Sequence, residues 1–248
     1  MKAAFGMWAN TRMIILAAVC AAIYGAALIA FKTVIPLIPG FTEVRVANIF
    51  PMVFSLMFGP AGAWGSAMGN LIGDIFGGTF GPGSIGGFVG NFFLGYLPYA
   101  MWTNLIPFAQ RSHDWNPKDW RSWMTYVLVA FVSSASCAII ISIALDTLGM
   151  VPYTVLTKII TINDTFASLI GLFLLMAVFG VTKSQLGLFW ADIMEPGDIG
   201  SPIAGPLGAW IVAVASVIGL VGAVISDLPA STLGWLSTLG ILLGGILM

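Results

Sequence analysis

Eight stretches of this chain are almost wholly apolar, and the polar residues are confined to the segments between them. The apolar runs cover 13–35, 46–58, 63–76, 88–108, 124–145, 156–181, 203–225 and 232–248. Most come close to 20 residues, roughly the length of α-helix that spans about 30 Å of hydrocarbon. The second and third are short and are separated only by the tight turn GPAG at 59–62. Pro98 inside the fourth predicts a kink. The pattern therefore predicts an all-α integral membrane protein. It divides into a six-helix core over 1–182, an acidic linker over 183–202 with Asp192, Glu195 and Asp198, and two additional C-terminal hydrophobic helices over 203–248.

Composition agrees and narrows the function classes. Hydrophobic residues make up 59% of the 248 positions and charged residues 8%. A mean hydropathy of +1.01 is more than a soluble domain could hide from water. The net charge is −1 and the nine Lys and Arg are scattered, which leaves no basic face for nucleic acid. Cys20 and Cys137 lie inside apolar runs without CxxC spacing, so neither a disulfide framework nor a Cys/His metal site is expected. The single histidine, His113, falls in the polar loop QRSHDWNPKDWRSW and reads as a solvated surface histidine. GVTKS at 180–184 lacks the second glycine of a phosphate-binding loop, and neither HExxH nor GxSxG occurs. The chain reads as neither an enzyme nor a self-powered ATPase, and no cofactor is expected. The first run lacks a small-residue cleavage site and reads as a retained helix.

Orientation follows from the cations. With the N-terminus inside, Lys2, Arg12, Arg111, Lys118, Arg121 and Lys183 fall on the cytoplasmic side, and Lys32, Arg45 and Lys158 outside. This obeys the positive-inside rule and puts both termini in the cytoplasm. Trp115, Trp120 and Trp123 flank the polar loop as an interfacial aromatic belt would.

In that frame the costly polar groups gather at the outer ends of the helices. Glu43 and Arg45 enter the second run, Asp74 closes the third, and Asp146, Lys158 and Asp164 bracket the fifth and sixth. Asn48, Asn70, Asn91 and Asn163 repeat the trend. Burying such groups costs several kcal/mol each unless they are paired or hydrated, which points to a binding site or pathway. For Asp146 and Lys158 a headgroup-level position is the stronger reading. An Arg45 to Asp74 ion pair would make those two structural. With Phe80, Phe88, Phe92 and Tyr153 nearby, the groups would suit a flat, partly polar organic molecule, such as a vitamin or a nucleobase-like precursor, a description that corrinoid, flavin, thiamine-like and deazapurine ligands all fit.

Small residues form two stripes. Ala61, Gly65, Gly69, Gly73 and Gly77 recur every four positions, a ridge along which two helix backbones can approach closely. In LAAVCAAIYGAALIA, Ala18, Ala22 and Ala26 align, and beside them Ala17, Ala21 and Gly25.

At these residues the chain resembles the substrate-binding S component of an energy-coupling factor (ECF) vitamin transporter. The segment EVRVANIFPMVFSLMFGPAGAWGSAMGNLIGDIFGG at 43–78 is similar to that family's arginine, FGP, glycine-rich and GD pattern, and the alanine-rich first helix matches too. The resemblance covers about 10–182 and leaves the last two runs as either a fused helix pair or a partner-binding appendage. It implies a six-helix core in a bacterial cell membrane. A vitamin-like substrate would be captured from outside at Arg45, Asn48, Asp74, Phe80, Asn91, Tyr153, Lys158, Asn163 and Asp164. Ala18, Ala22 and Ala26 would dock on the transmembrane coupling subunit, and separate ATPase subunits would power uptake. The alternative is a channel-like or structural membrane subunit, which predicts no saturable ligand binding.

Overall fold

The computed structural model describes residues 1–31, 36–38, 42–43, 45–225 and 229–248, with backbone only for 36–38 and 42–43. Lys32, the last part of the first apolar run and the Glu43 side chain lie outside the described residues.

The chain is a helical bundle built from α1 (Lys2–Gly6), α2 (Thr11–Phe31), α3 (Ile49–Phe58), α4 (Pro60–Phe76), α5 (Gly83–Trp102), α6 (Trp120–Thr147) and α7 (Tyr153–Gly180). Two single turns, α8 (Trp190–Ile193) and α9 (Pro196–Ile199), lead to α10 (Gly205–Val224) and α11 (Ala230–Leu247). A two-stranded antiparallel hairpin, β1 (Pro36–Ile38) with β2 (Thr42–Glu43), follows α2.

Among the described residues α2, α6, α7, α10 and α11 are long and apolar enough to cross a membrane. With 10 and 17 residues, α3 and α4 extend only about 15 and 26 Å. Pro51 to Met57 of α3 are all buried, so this short helix is enclosed by protein over most of its length. Gly59 turns α3 into α4 at φ 50°, with Pro60 opening α4. Pro98 removes a donor from α5, and the next N–H, that of Tyr99, donates instead to Ser55 Oγ on α3 at 3.0 Å. The fourth run, expected over 88–108, starts earlier and stops earlier. The glycines at 83–87 already form the first turn of α5, and Asn104 Nδ2 caps its end by donating to the Ala100 carbonyl at 2.7 Å.

The glycine ridge of α4 packs on α2, and the two helices run in the same direction. A Cβ on Gly69 would lie 2.8 Å from the Tyr24 ring and 3.0 Å from the Ala21 carbonyl oxygen, and one on Gly73 would lie 3.0 Å from Leu28. Ala17, Ala21 and Gly25 are buried in this contact, whereas Ala18, Ala22 and Ala26 are exposed on the opposite side of α2. The α10–α11 hairpin packs against α6 and α7. Ser136 and Ser216 hydroxyls meet at 2.9 Å, and Tyr96 Oη donates to the Gly245 carbonyl at 2.8 Å.

Both chain ends lie at one end of the bundle, where Lys2 packs on Gly200 and Met1 approaches Gly245. Two expectations for that end are corrected. His113 is not a fully solvated residue but a half-buried one: its ring packs edge-on against Trp190 with centroids 4.6 Å apart. Burial pushes its pKa down to about 4, against the opposing pull of Asp114, so the imidazole is neutral at pH 7. Trp115 is buried against Trp102 and Tyr126 and does not join an interfacial belt, while Trp120 stays exposed.

Candidate functional site

At the opposite end of the bundle the C-terminal ends of α4 and α6, the N-terminal end of α5 and the glycine-rich loop at 77–83 line a cavity of about 390 Å³. Its polar wall is Arg45, Asn70, Asp74, Thr79 and Ser84, its apolar wall is Ile141, Leu145 and Met150, and Phe80 stands at its edge. The helix geometry explains the grouping. Asn70 and Asp74 are one turn apart on α4, about 40° around the axis from each other, on the side adjoining the glycine ridge.

The carboxamide of Asn70 stands between the two charged groups. It accepts from Arg45 Nη1 at 3.3 Å and donates from Nδ2 to Asp74 Oδ2 at 3.3 Å. Thr79 Oγ1 donates to Asp74 Oδ1 at 3.3 Å, which ties the glycine-rich loop to α4. The Arg45 backbone N–H donates to Asn163 Oδ1 on α7 at 3.3 Å. Gly87 gives α5 its close approach, because a Cβ there would lie 2.7 Å from Asn70 Nδ2.

Behind this cavity runs a buried polar network drawn from α2, α5, α7 and the turn at 46–48. Tyr24, Asn48, Asn91 and Asp164 are each at most 1% exposed. Asn48 Nδ2 donates to Asp164 Oδ1 at 2.5 Å, and Asn91 Nδ2 donates to the Gly87 carbonyl at 2.8 Å. With both amide NH₂ groups committed, the Tyr24 hydroxyl has one proton to share between Asn48 Oδ1 at 2.6 Å and Asn91 Oδ1 at 2.9 Å. The Asp164 carboxyl also lies beside the Cys137 thiol on α6. Four elements are thus pinned to each other by side chains that would be costly to bury singly.

The sequence model of the family described as QueT transporter matches residues 14–179. The chain belongs to the QueT transporter family. QueT proteins are S components of ECF-type transporters, so this chain is a multi-pass membrane subunit concerned with a micronutrient. No curated protein and no solved structure matches it. The QueT match takes in every residue of the network and ends before α10 and α11.

Of the residues singled out from the sequence, Arg45, Asn48, Asp74, Phe80, Asn91, Asn163 and Asp164 come together in this QueT-family chain. Tyr153 and Lys158 do not join them. The Tyr153 ring turns toward α10 and its hydroxyl donates to the Gly219 carbonyl at 2.9 Å, anchoring the C-terminal hairpin. Lys158 is exposed on α7 and makes no hydrogen bond or ion pair among the described residues. Phe88 and Phe92 pack on Trp64 and do not line the cavity. Asp146 holds α6 to α7, accepting from the Tyr153 backbone N–H at 3.0 Å, and it accepts from Ser231 Oγ at 2.8 Å. Asn70, part of the polar trend in the sequence, joins them at the cavity wall, and Tyr24, Thr79 and Ser84, which were not among the candidates, complete the site. For Tyr24 a signal was present, since it is the one hydroxyl in the alanine-rich stretch 16–30.

Proposed function

We propose that this chain captures a flat, heteroaromatic micronutrient of the deazapurine type, a queuosine precursor, in the cavity beside Arg45, Asn70 and Asp74. The observation that carries this reading is the alternation of donors and acceptors along one wall: guanidinium, carboxamide, carboxylate, hydroxyl. Such a row matches the hydrogen-bonding edge of a purine-like base, and the Ile141, Leu145 and Met150 wall supplies an apolar face for its ring. Asn48, Asn91, Asn163 and Asp164 hold that wall in place from behind, with Phe80 able to cover the ring.

In this reading the end carrying Lys2, Arg12, Arg111, Lys118, Arg121 and Lys183 faces the cytoplasm of a bacterial cell and the cavity faces outward. Separate ATPase subunits and a transmembrane coupling subunit drive import. The exposed Ala18, Ala22 and Ala26 face of α2 docks on the coupling subunit, because small side chains let a partner helix come close.

Two variants test the two halves of this reading. Asp74→Ala removes a carboxylate at the cavity wall, and a lost hydrogen bond to a charged group is worth about 1.5–3 kcal/mol. Calorimetric titration with a deazapurine base is expected to show affinity weakened by about tenfold to a hundredfold; unchanged affinity would remove Asp74 from the site. Ala22→Leu adds bulk to a face of α2 that is exposed among the described residues. It is expected to leave deazapurine affinity unaltered and to lower uptake in cells by about tenfold or more, since the helix contact is held off. Normal uptake would count against docking at this face.

A further inference from the structure

A second cavity, of about 700 Å³, opens at the basic end of the bundle between the loop at 103–119, the first turn of α6 and the last turn of α7. Its charged lining is Arg111, Asp114, Asp119, Arg121 and Lys183. Both carboxylates are already engaged. Asp114 pairs with Lys183, and Asp119 caps α6 by accepting from the Arg121 backbone N–H at 3.0 Å. Among the described residues the Arg111 and Arg121 guanidinium groups form no ion pair, and with Asp119 on the same wall the lining sets three cations against two carboxylates, a net positive charge.

The surroundings say at what depth this cavity sits. Trp120 at 65% and Trp123 at 36% exposure stand beside Arg121, as side chains at a membrane interface do. From there Met124, Val127 and Phe131 continue down α6 at spacings of three and four, an exposed apolar strip leading from the cavity mouth into the hydrocarbon region.

We propose that this cavity binds the phosphate of an anionic phospholipid from the adjoining leaflet. Arg111 and Arg121 hold the phosphate, and an acyl chain lies along Met124, Val127 and Phe131. Paired guanidinium groups match phosphate oxygens geometrically, and each cation near the membrane surface contributes about a factor of five in affinity for anionic lipid. Inorganic phosphate or an acidic peptide could use the arginines, but neither would use the apolar strip beneath them. The site is separate from the outer cavity and does not depend on the substrate assigned there.

The test is native mass spectrometry of the full chain in neutral detergent with phosphatidylglycerol or phosphatidylcholine added. The unaltered chain is expected to retain phosphatidylglycerol about twenty-five-fold better than Arg111→Gln/Arg121→Gln, two factors of five combined. Retention of phosphatidylcholine should be the same in both. Equal retention of phosphatidylglycerol by the double variant would overturn the proposal. So would displacement of the lipid by inorganic phosphate or by an oligoglutamate peptide at equal concentration, which would assign the site to a soluble anion. Should the double variant fail to fold, the unaltered chain still decides: phosphatidylglycerol must raise its melting temperature more than phosphatidylcholine does, and equal shifts would contradict the assignment.

Discussion

Gly69→Leu is expected to leave little folded protein. A single Cβ at this position would already lie 2.8 Å from the Tyr24 ring and 3.0 Å from the Ala21 carbonyl oxygen, and a leucine adds three more carbons to the same gap. Overpacking of a well-filled contact costs about 1–3 kcal/mol and more where backbone stands in the way. Here α2 and α4 would have to separate, and Tyr24 would be drawn from Asn48 and Asn91. The yield of monodisperse protein and its melting temperature measure this, with Gly69→Ala expected to be the milder change. A Gly69→Leu variant as stable as the parent would show that the ridge is not held as tightly as this packing requires. The comparison with Ala22→Leu is informative because the same bulk then falls on the opposite face of α2, which is exposed among the described residues.

The second large effect is expected at Asp164. Asp164→Ala removes the acceptor for Asn48 Nδ2, in a place where every member of the network is buried. A buried donor left without its partner costs about 1–3 kcal/mol, and more where the lost partner was charged. Freed from Asp164, Asn48 can rotate, so the Tyr24 hydroxyl loses one of its two fixed acceptors and α2, the turn at 46–48 and α7 lose a common tie. Deazapurine affinity is expected to fall by about a hundredfold, equivalent to about 2.8 kcal/mol, although Asp164 does not line the cavity. Asp164→Asn keeps an oxygen that can accept from Asn48 and should restore most of the affinity. If Asp164→Ala bound as the parent does, the network would have no part in shaping the cavity.

The contrast between these residues explains what could be read in the sequence. The helix order and the close packing of the α4 ridge were legible, because a glycine at every fourth position has few uses in a membrane helix other than close packing, whereas its partner, α2, was not. Asn48, Asp74, Asn91 and Asp164 were legible from cost alone, since such side chains in apolar runs need partners. Depth was legible but direction around the helix axis was not. Tyr153, Lys158 and Asp164 all belong to the first half of α7, yet at about 100° per residue Lys158 and Asp164 point roughly 120° apart, and Tyr153 faces α10. Tyr24 was hidden by the opposite problem: a tyrosine is at home on many faces of a membrane helix, and its role depends on two asparagines 24 and 67 residues away. His113 was misjudged for the same reason. Its neighbours in the chain are polar, whereas the ring that buries it, Trp190, arrives from the linker after α7.

The α10–α11 hairpin lies outside the QueT match, yet it is joined to the core through Tyr153, Ser136 and Tyr96. Its attachment is to the flank formed by α6 and α7, away from the exposed alanines of α2. The docking face proposed for the coupling subunit is therefore left open by the extra helices.

Native mass spectrometry of the chain purified from its own membranes tests the central claim most directly. The account predicts one co-purifying small molecule per chain, with the mass of a deazapurine, released on exchange with added free base and absent from Asp74→Ala. A chain that carries no such molecule and shows no saturable binding when titrated with deazapurines would contradict it.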